Sequence, residues 1–187
     1  MRTQNLMVAL GVFSVVAVAP AANDFDRIAR NILASSAGIS PNKVITPKGK
    51  FTIYDVAPAY TLANRSGKSP QTVWNLRQRG YEWSQVAQKV GVTPKTFSYL
   101  RSQGYFDRDK RWLDWYAKRF NISRTNMNKL RNQGVSLPNV LSAAVIAGTT
   151  RNPIDRIWYR YRDIKNWDKV ADLYKVDTDQ IADRRIG

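Results

Sequence analysis

Apolar positions between Tyr81 and Gly104, YEWSQVAQKVGVTPKTFSYLRSQG, fall into two short stretches at helical spacing with a break between them. Val86, Ala87 and Val90 lie three and four residues apart, so they share one face of a first helix. Gly91 ends that helix, since glycine takes the left-handed backbone that a C-terminal turn needs. The Thr93 hydroxyl caps a second helix, and Pro94 suits its first position, where no N–H is needed. Phe97 and Leu100 turn back toward the first helix, Arg101 complements the dipole in the last turn, and Gly104 marks the stop.

This order of residues recurs. TLANRSGKSPQTVWNLRQRG places Leu62, Ala63, Gly67, Ser69, Pro70, Val73, Leu76 and Gly80 in the same roles. YAKRFNISRTNMNKLRNQG does so with Tyr116, Ala117, Phe120, Asn121, Ile122, Ser123, Met127, Leu130 and Gly134. In WDKVADLYKVDTDQIADRRIG, Trp167, Val170 and Ala171 match Trp83, Val86 and Ala87, while Asp177 replaces the capping Thr93 and Ile181 replaces Phe97. Weaker copies stand at ILASSAGISP, around Leu33–Pro41, and at VIAGTTRNPIDRIW, Val145–Trp158. The closing glycines are 24 and 30 residues apart, an interval that fits one helical hairpin per repeat. Pro70 and Pro153 are 83 residues apart and Trp83 and Trp167 are 84 apart, which suggests a larger duplication.

The remaining segments fill in around the hairpins. Phe25, Ile28, Ala29, Ile32 and Leu33 predict a first helix over residues 23–37, capped by Asn23 or Asp24. Residues 38–50, with Pro41, Pro47 and Gly49, read as irregular with a short turn after Pro41. Phe51–Tyr54 is strand-like in propensity but has no partner run, so an extended connector packed on the first repeat is expected. SLPNVLSAAVIA, from Ser136 to Ala147, predicts the most buried helix, capped by Ser136 or Asn139, with Ala143 and Ala144 admitting a close neighbour. The fold class expected is all-α: tandem helix-turn-helix-like hairpins stacked into a short solenoid or bundle, because one hairpin cannot bury its own apolar face.

Ahead of this lies a different pattern. Arg2 is followed by an apolar run, Leu6–Val18, and by Ala19-Pro20-Ala21. That is the pattern of a secretory signal peptide cleaved before Ala22. The expected organisation is a leader over 1–21, an N-terminal helix and irregular linker over 22–50, and a helical-hairpin repeat domain over 51–187. The expected localisation is export to the periplasm, cell surface or medium.

Composition narrows the chemistry. The chain has neither Cys nor His, which excludes disulfides, zinc sites built on those ligands, and nucleophile systems that need a histidine base. Glu82 is the only glutamate after the leader, and no second group completes a site for a pair such as Asp107 and Asp109. No enzyme activity, metal or cofactor is expected. Net charge is +16, and cleavage before Ala22 removes one base and no acid, so the protein is drawn to polyanions by its long-range field.

The segment Val86–Tyr105, VAQKVGVTPKTFSYLRSQGY, resembles the helix-turn-helix of bacterial transcription regulators of the MerR type. The resemblance covers about twenty residues per copy. It implies Ala87 at the helix crossing, Gly91 at the turn, and Lys95, Thr96, Ser98, Tyr99 and Arg101 on the exposed side of the second helix, where a regulator meets DNA. The chain departs from the family in its leader and in carrying several copies of the unit.

Candidate binding residues follow from the repeated ending Leu-Arg-x-x-Gly. Arg77, Arg101 and Arg131 hold the same place in three copies, each before a glycine stop. Stacked in register they would form a ladder for a linear polyanion, with Arg79, Lys95 and Lys129 beside them; the same placement also serves simply to end a helix. Arg156, Arg160 and Arg162 are the next basic group. Of the tryptophans, Trp83 and Trp167 are expected in the inter-repeat core and Trp74 and Trp158 as a surface pair. The function expected is an exported, non-enzymatic protein that binds an anionic polymer: extracellular DNA, lipopolysaccharide, teichoic acid or acidic polysaccharide. A protein-docking scaffold in the cell envelope is the alternative, and a DNA-binding helix-turn-helix protein the reading if no signal peptide is cleaved. A membrane surface is a further candidate partner.

Overall fold

A computed structural model describes residues 24–183, so the expected leader at 1–21 and residues 184–187 lie outside the described residues. Among the described residues the protein is all-helical, with no strand. The order is α1 (Asp24–Ala37), 3-10 turns at Pro41–Lys43 and Ile53–Asp55, α2 (Ala57–Ser66), α3 (Pro70–Gln78), α4 (Trp83–Lys89), α5 (Pro94–Ser102), α6 (Arg108–Phe120), α7 (Arg124–Asn132), α8 (Leu137–Thr150), α9 (Ile154–Ile164), α10 (Trp167–Leu173) and α11 (Thr178–Asp183).

The joints of five hairpins share one geometry. A residue in the left-handed region closes the first helix, and the residue two further on stands at the cap position of the second. The pairs are Gly67 and Ser69, Gly91 and Thr93, Asn121 and Ser123, Arg151 and Pro153, and Lys175 and Asp177. Ser69, Thr93, Ser123 and Asp177 each accept a backbone N–H three residues on, which satisfies a donor that the helix itself cannot. The same order, Gly38 then Ser40 then Pro41, follows α1 but yields only a 3-10 turn. There Val44 and Ile45 leave the helix to be buried, and the Ile45 N–H is taken by the Tyr60 hydroxyl at 2.7 Å.

One hydrophobic cluster runs from Phe25 to Ala182. The apolar helix α8 is buried along most of its length and packs on α6, α7 and α9. Ala143 and Ala144 are fully buried, as their size predicts, but the closest approach falls at Gly148, against Phe120 of α6. Ser136 stands at the cap position, as expected, and its backbone carbonyl accepts the Val140 N–H, but its hydroxyl accepts no capping bond; the Asn139 amide oxygen accepts the Trp167 indole N–H at 3.0 Å.

The ends of the described chain meet. Helix α1 packs on α11, where Arg27 pairs with Asp179 and Asp183, the Thr178 hydroxyl donates to Asp24 at 2.7 Å, and Asn31 donates to the Ala182 carbonyl. An open row of hairpins would hold its first and last helices apart.

The 84-residue spacing of Trp83 and Trp167 recurs in the helices: α4 and α10 each start on one of these tryptophans and are seven residues long. Two expectations need correction. Trp74 is not a surface residue: it is fully buried, because the connector folds over it and Phe51 meets its ring edge-on at 5.1 Å. That connector is not extended throughout, since Ile53–Asp55 forms a 3-10 turn locked by reciprocal Thr52 and Asp55 bonds. The turn aims Tyr54 at Trp112 of α6, whose indole N–H donates to the Tyr54 carbonyl at 2.9 Å.

Candidate anion-binding surface

The three arginines of the repeated ending are not equivalent in space. Arg77 is half-buried; its guanidinium lies over the Trp83 ring and donates to the Tyr81 carbonyl at 3.0 Å and to Glu82 at 3.2 Å. Arg131 is also half-buried; it donates to the Val135 carbonyl and, through Nε at 2.8 Å, to Asp109. In both hairpins the arginine therefore turns back over the glycine stop and holds the carbonyl of the residue after it. Two charge-assisted bonds from Arg77 and three from Arg131 fix the exits of these second helices, so these cations serve the joint.

Arg101 breaks the pattern. The carbonyl equivalent to Tyr81 and Val135 is that of Tyr105, and Arg111 from α6 occupies it at 3.2 Å. Arg101 is left exposed, without an ion pair among the described residues. Arg79, Lys95 and Lys129 are exposed and free of ion pairs too. The second helices α3, α5 and α7 make no extensive packing with one another, so the three arginines do not lie side by side on stacked neighbours.

Helix α5 stands out in consequence. It packs mainly on α4, and Leu100 is its only buried residue. Its outer side carries Lys95, Ser98, Tyr99 and Arg101, and the Tyr99 ring is 59% exposed. No acidic residue occurs between Glu82 and Asp107, so the whole α4–α5 hairpin presents Lys89, Lys95 and Arg101 unopposed. The local chemistry supports an exposed second helix. Thr93 and Pro94 set its start, Gly91 at φ +86° permits the sharp entry, and Val86, Ala87, Val90 and Val92 before it are buried in the core.

The basic group on α9 is different. Arg156, Arg160 and Arg162 are exposed beside Tyr159, but Asp155 and Asp163 share that surface, and both lie with Arg156 and Arg160 in a shallow depression. Mixed charge weakens its pull on a polyanion. At the place of Arg77, the second half of the duplication has Tyr161, which stacks on Trp167 at 4.2 Å where Arg77 lies over Trp83.

Sequence reasoning missed Arg65 and Arg111, which line a cleft of about 360 Å³ between α1, α2, α5 and α6. Arg111 sits in the first helix of a hairpin, outside the repeated ending, so the repeat pattern carries no signal for it. Among the described residues no helix is long and apolar enough to cross a membrane. No family model matches the chain, and no curated protein or solved structure matches it.

Proposed function

We propose that this protein is a non-enzymatic binding protein for an anionic polymer, engaged through the exposed side of α5. One observation carries the reading: α5 buries a single residue and leaves Lys95, Tyr99 and Arg101 outward, in a hairpin with no acid between Glu82 and Asp107. A cation fork, an ammonium and an aromatic face on one short helix suit phosphates with attached bases or sugars. Arg79 and Lys129 are exposed cations away from α5, the latter beside Asp155 and Tyr159 of α9, whereas Arg77 and Arg131 act on the fold. With the leader that the sequence predicts, the polymer is an envelope or extracellular one.

The test is binding to duplex DNA, heparin and lipopolysaccharide across a salt series, with Lys95→Gln/Arg101→Gln beside the parent. On duplex DNA the slope of log affinity against log salt should flatten by about 0.9 for each lost phosphate contact. Tyr99→Ala should weaken binding with no change in that slope. Binding that ignores salt would favour a protein-docking scaffold. An unchanged slope in the double variant would move the interface to Arg156, Arg160 and Arg162.

A further inference from the structure

Arg111 lies in the cleft between α1, α2, α5 and α6 with an unusual set of neighbours. Its Nη1 is fully used, donating to the Thr61 hydroxyl at 2.6 Å and to the Tyr105 carbonyl at 3.2 Å. Its Cζ lies over two rings, Trp115 at 4.8 Å and Tyr105 at 5.1 Å from their centroids. Among the described residues it has no ion pair, and no Asp or Glu lines the cleft. Among the described residues Nε and Nη2 have no protein acceptor, yet neither is a sealed, unsatisfied donor. The edge that remains is the one whose two parallel N–H groups match the two oxygens of a carboxylate.

We propose that this cleft binds a small organic carboxylate, taken in two-point fashion by the Nε–Nη2 edge of Arg111. Thr61 and the Tyr105 carbonyl hold the guanidinium plane in place, and the two rings prevent it from swinging out. Arg65, exposed and free of ion pairs, stands at the rim and adds a second positive charge. Leu33, Leu100 and Trp115 give the walls an apolar part, so an aromatic or aliphatic acid fits better than a bare anion. The cost of the unpaired cation is visible in its acidity: burial, opposed by Tyr105, pushes the Arg111 guanidinium down to about 10, and a bound carboxylate would relieve that cost. This site is separate from the α5 surface and does not depend on the polymer reading.

The experiment is a titration of the ¹⁵N-labelled protein with benzoate, acetate and inorganic phosphate, following the Arg111 Nε–H and Trp115 indole N–H resonances. Benzoate should move both saturably with a Kd on the order of 1 mM or tighter, and acetate should bind more weakly. Arg111→Lys keeps the charge but loses the fork, and should weaken benzoate at least about tenfold. Asn64→Trp fills the mouth of the cleft without touching Arg111. It should abolish the benzoate response while the Nε–H resonance stays in place, and it serves if the Arg111 variant does not fold. An Nε–H resonance unmoved at saturating benzoate, or equal binding by Asn64→Trp, would overturn the site and leave Arg111 as a brace between α2 and α6. Phosphate binding more tightly than benzoate would overturn the carboxylate assignment.

Discussion

Gly148 of α8 lies directly against the backbone of Phe120, the last residue of α6. A methyl group at Gly148 would fall on the Phe120 carbonyl oxygen and 2.6 Å from its Cβ. Glycine there is not needed for a turn, since it sits inside α8; it is needed for the crossing. Gly148→Ala should cost about 1–3 kcal/mol from overpacking, against the small gain alanine usually brings to a helix interior. Denaturant melts would show it, and an unchanged midpoint would mean that α6 and α8 do not cross here. Thr149→Ala, one residue on and exposed, should change stability by no more than about 0.5 kcal/mol.

Lys175 holds the place that Gly91 holds in the earlier hairpin, at φ +54°. A residue with a Cβ pays about 1 kcal/mol or more in the left-handed region. Glycine removes that strain but adds freedom to the unfolded chain. Lys175→Gly should therefore be neutral to stabilising, by up to about 1 kcal/mol, whereas Gly91→Lys should destabilise by at least about 1 kcal/mol. Equal losses in both directions would show that the joints are not equivalent.

The arginines of the repeated ending separate into two kinds by the same measure. Arg131→Gln breaks the contacts to Asp109 and the Val135 carbonyl and should cost about 1–2 kcal/mol. Arg101→Gln removes an exposed side chain with no ion pair and should lie within about 0.5 kcal/mol of the parent. The polymer reading expects the reverse ranking in binding. Two thermal melts and two salt titrations decide both points.

Four of the five hairpin joints were legible because each rests on local chemistry: a left-handed residue, then a capping side chain two positions on. Asn121 and Asp177 could be placed for that reason, though neither copies Gly91 or Thr93 in type. The long-range pairings were not legible. Nothing local says that α1 meets α11, or that the connector would cover Trp74, since both depend on which faces the other helices leave open. The ladder was misleading for a physical reason. Arg77, Arg101 and Arg131 share a sequence position, but Arg111 competes for the Tyr105 carbonyl, and only the fold brings that competitor near.

Trp74 and Trp112 are both fully buried, yet only one of their indole N–H groups finds an acceptor. Trp112 donates to the Tyr54 carbonyl at 2.9 Å, and the Trp74 Nε1 has no partner among the described residues. Replacing either ring by phenylalanine removes similar volume, so the difference between the two reads the hydrogen bond. Trp112→Phe should cost about 1–3 kcal/mol more than Trp74→Phe, because it takes away a made bond while the other removes an orphan donor. Equal costs would indicate that a water satisfies Trp74.

Asp26, on α1, provides a pH test. Burial, partly offset by Arg30, holds its carboxyl above the ordinary value of 3.8, and its charge also helps push the already buried Tyr54 and Tyr116 phenols upward. A carboxyl whose folded pKa exceeds its unfolded pKa binds its proton more tightly when folded. The charged form is then a net cost to folding at neutral pH. The cost declines as pH falls through the raised folded value and is gone below 3.8, where the group is protonated in both states. Asp26→Asn should therefore raise the melting temperature at pH 7, and the gain over the parent should shrink on acidification and vanish below 3.8. Other acids titrate equally in both proteins, so the difference between the two curves isolates this group. A variant less stable than the parent at pH 7, with the deficit closing toward low pH, would mean that the attraction to Arg30 outweighs the cost of burial.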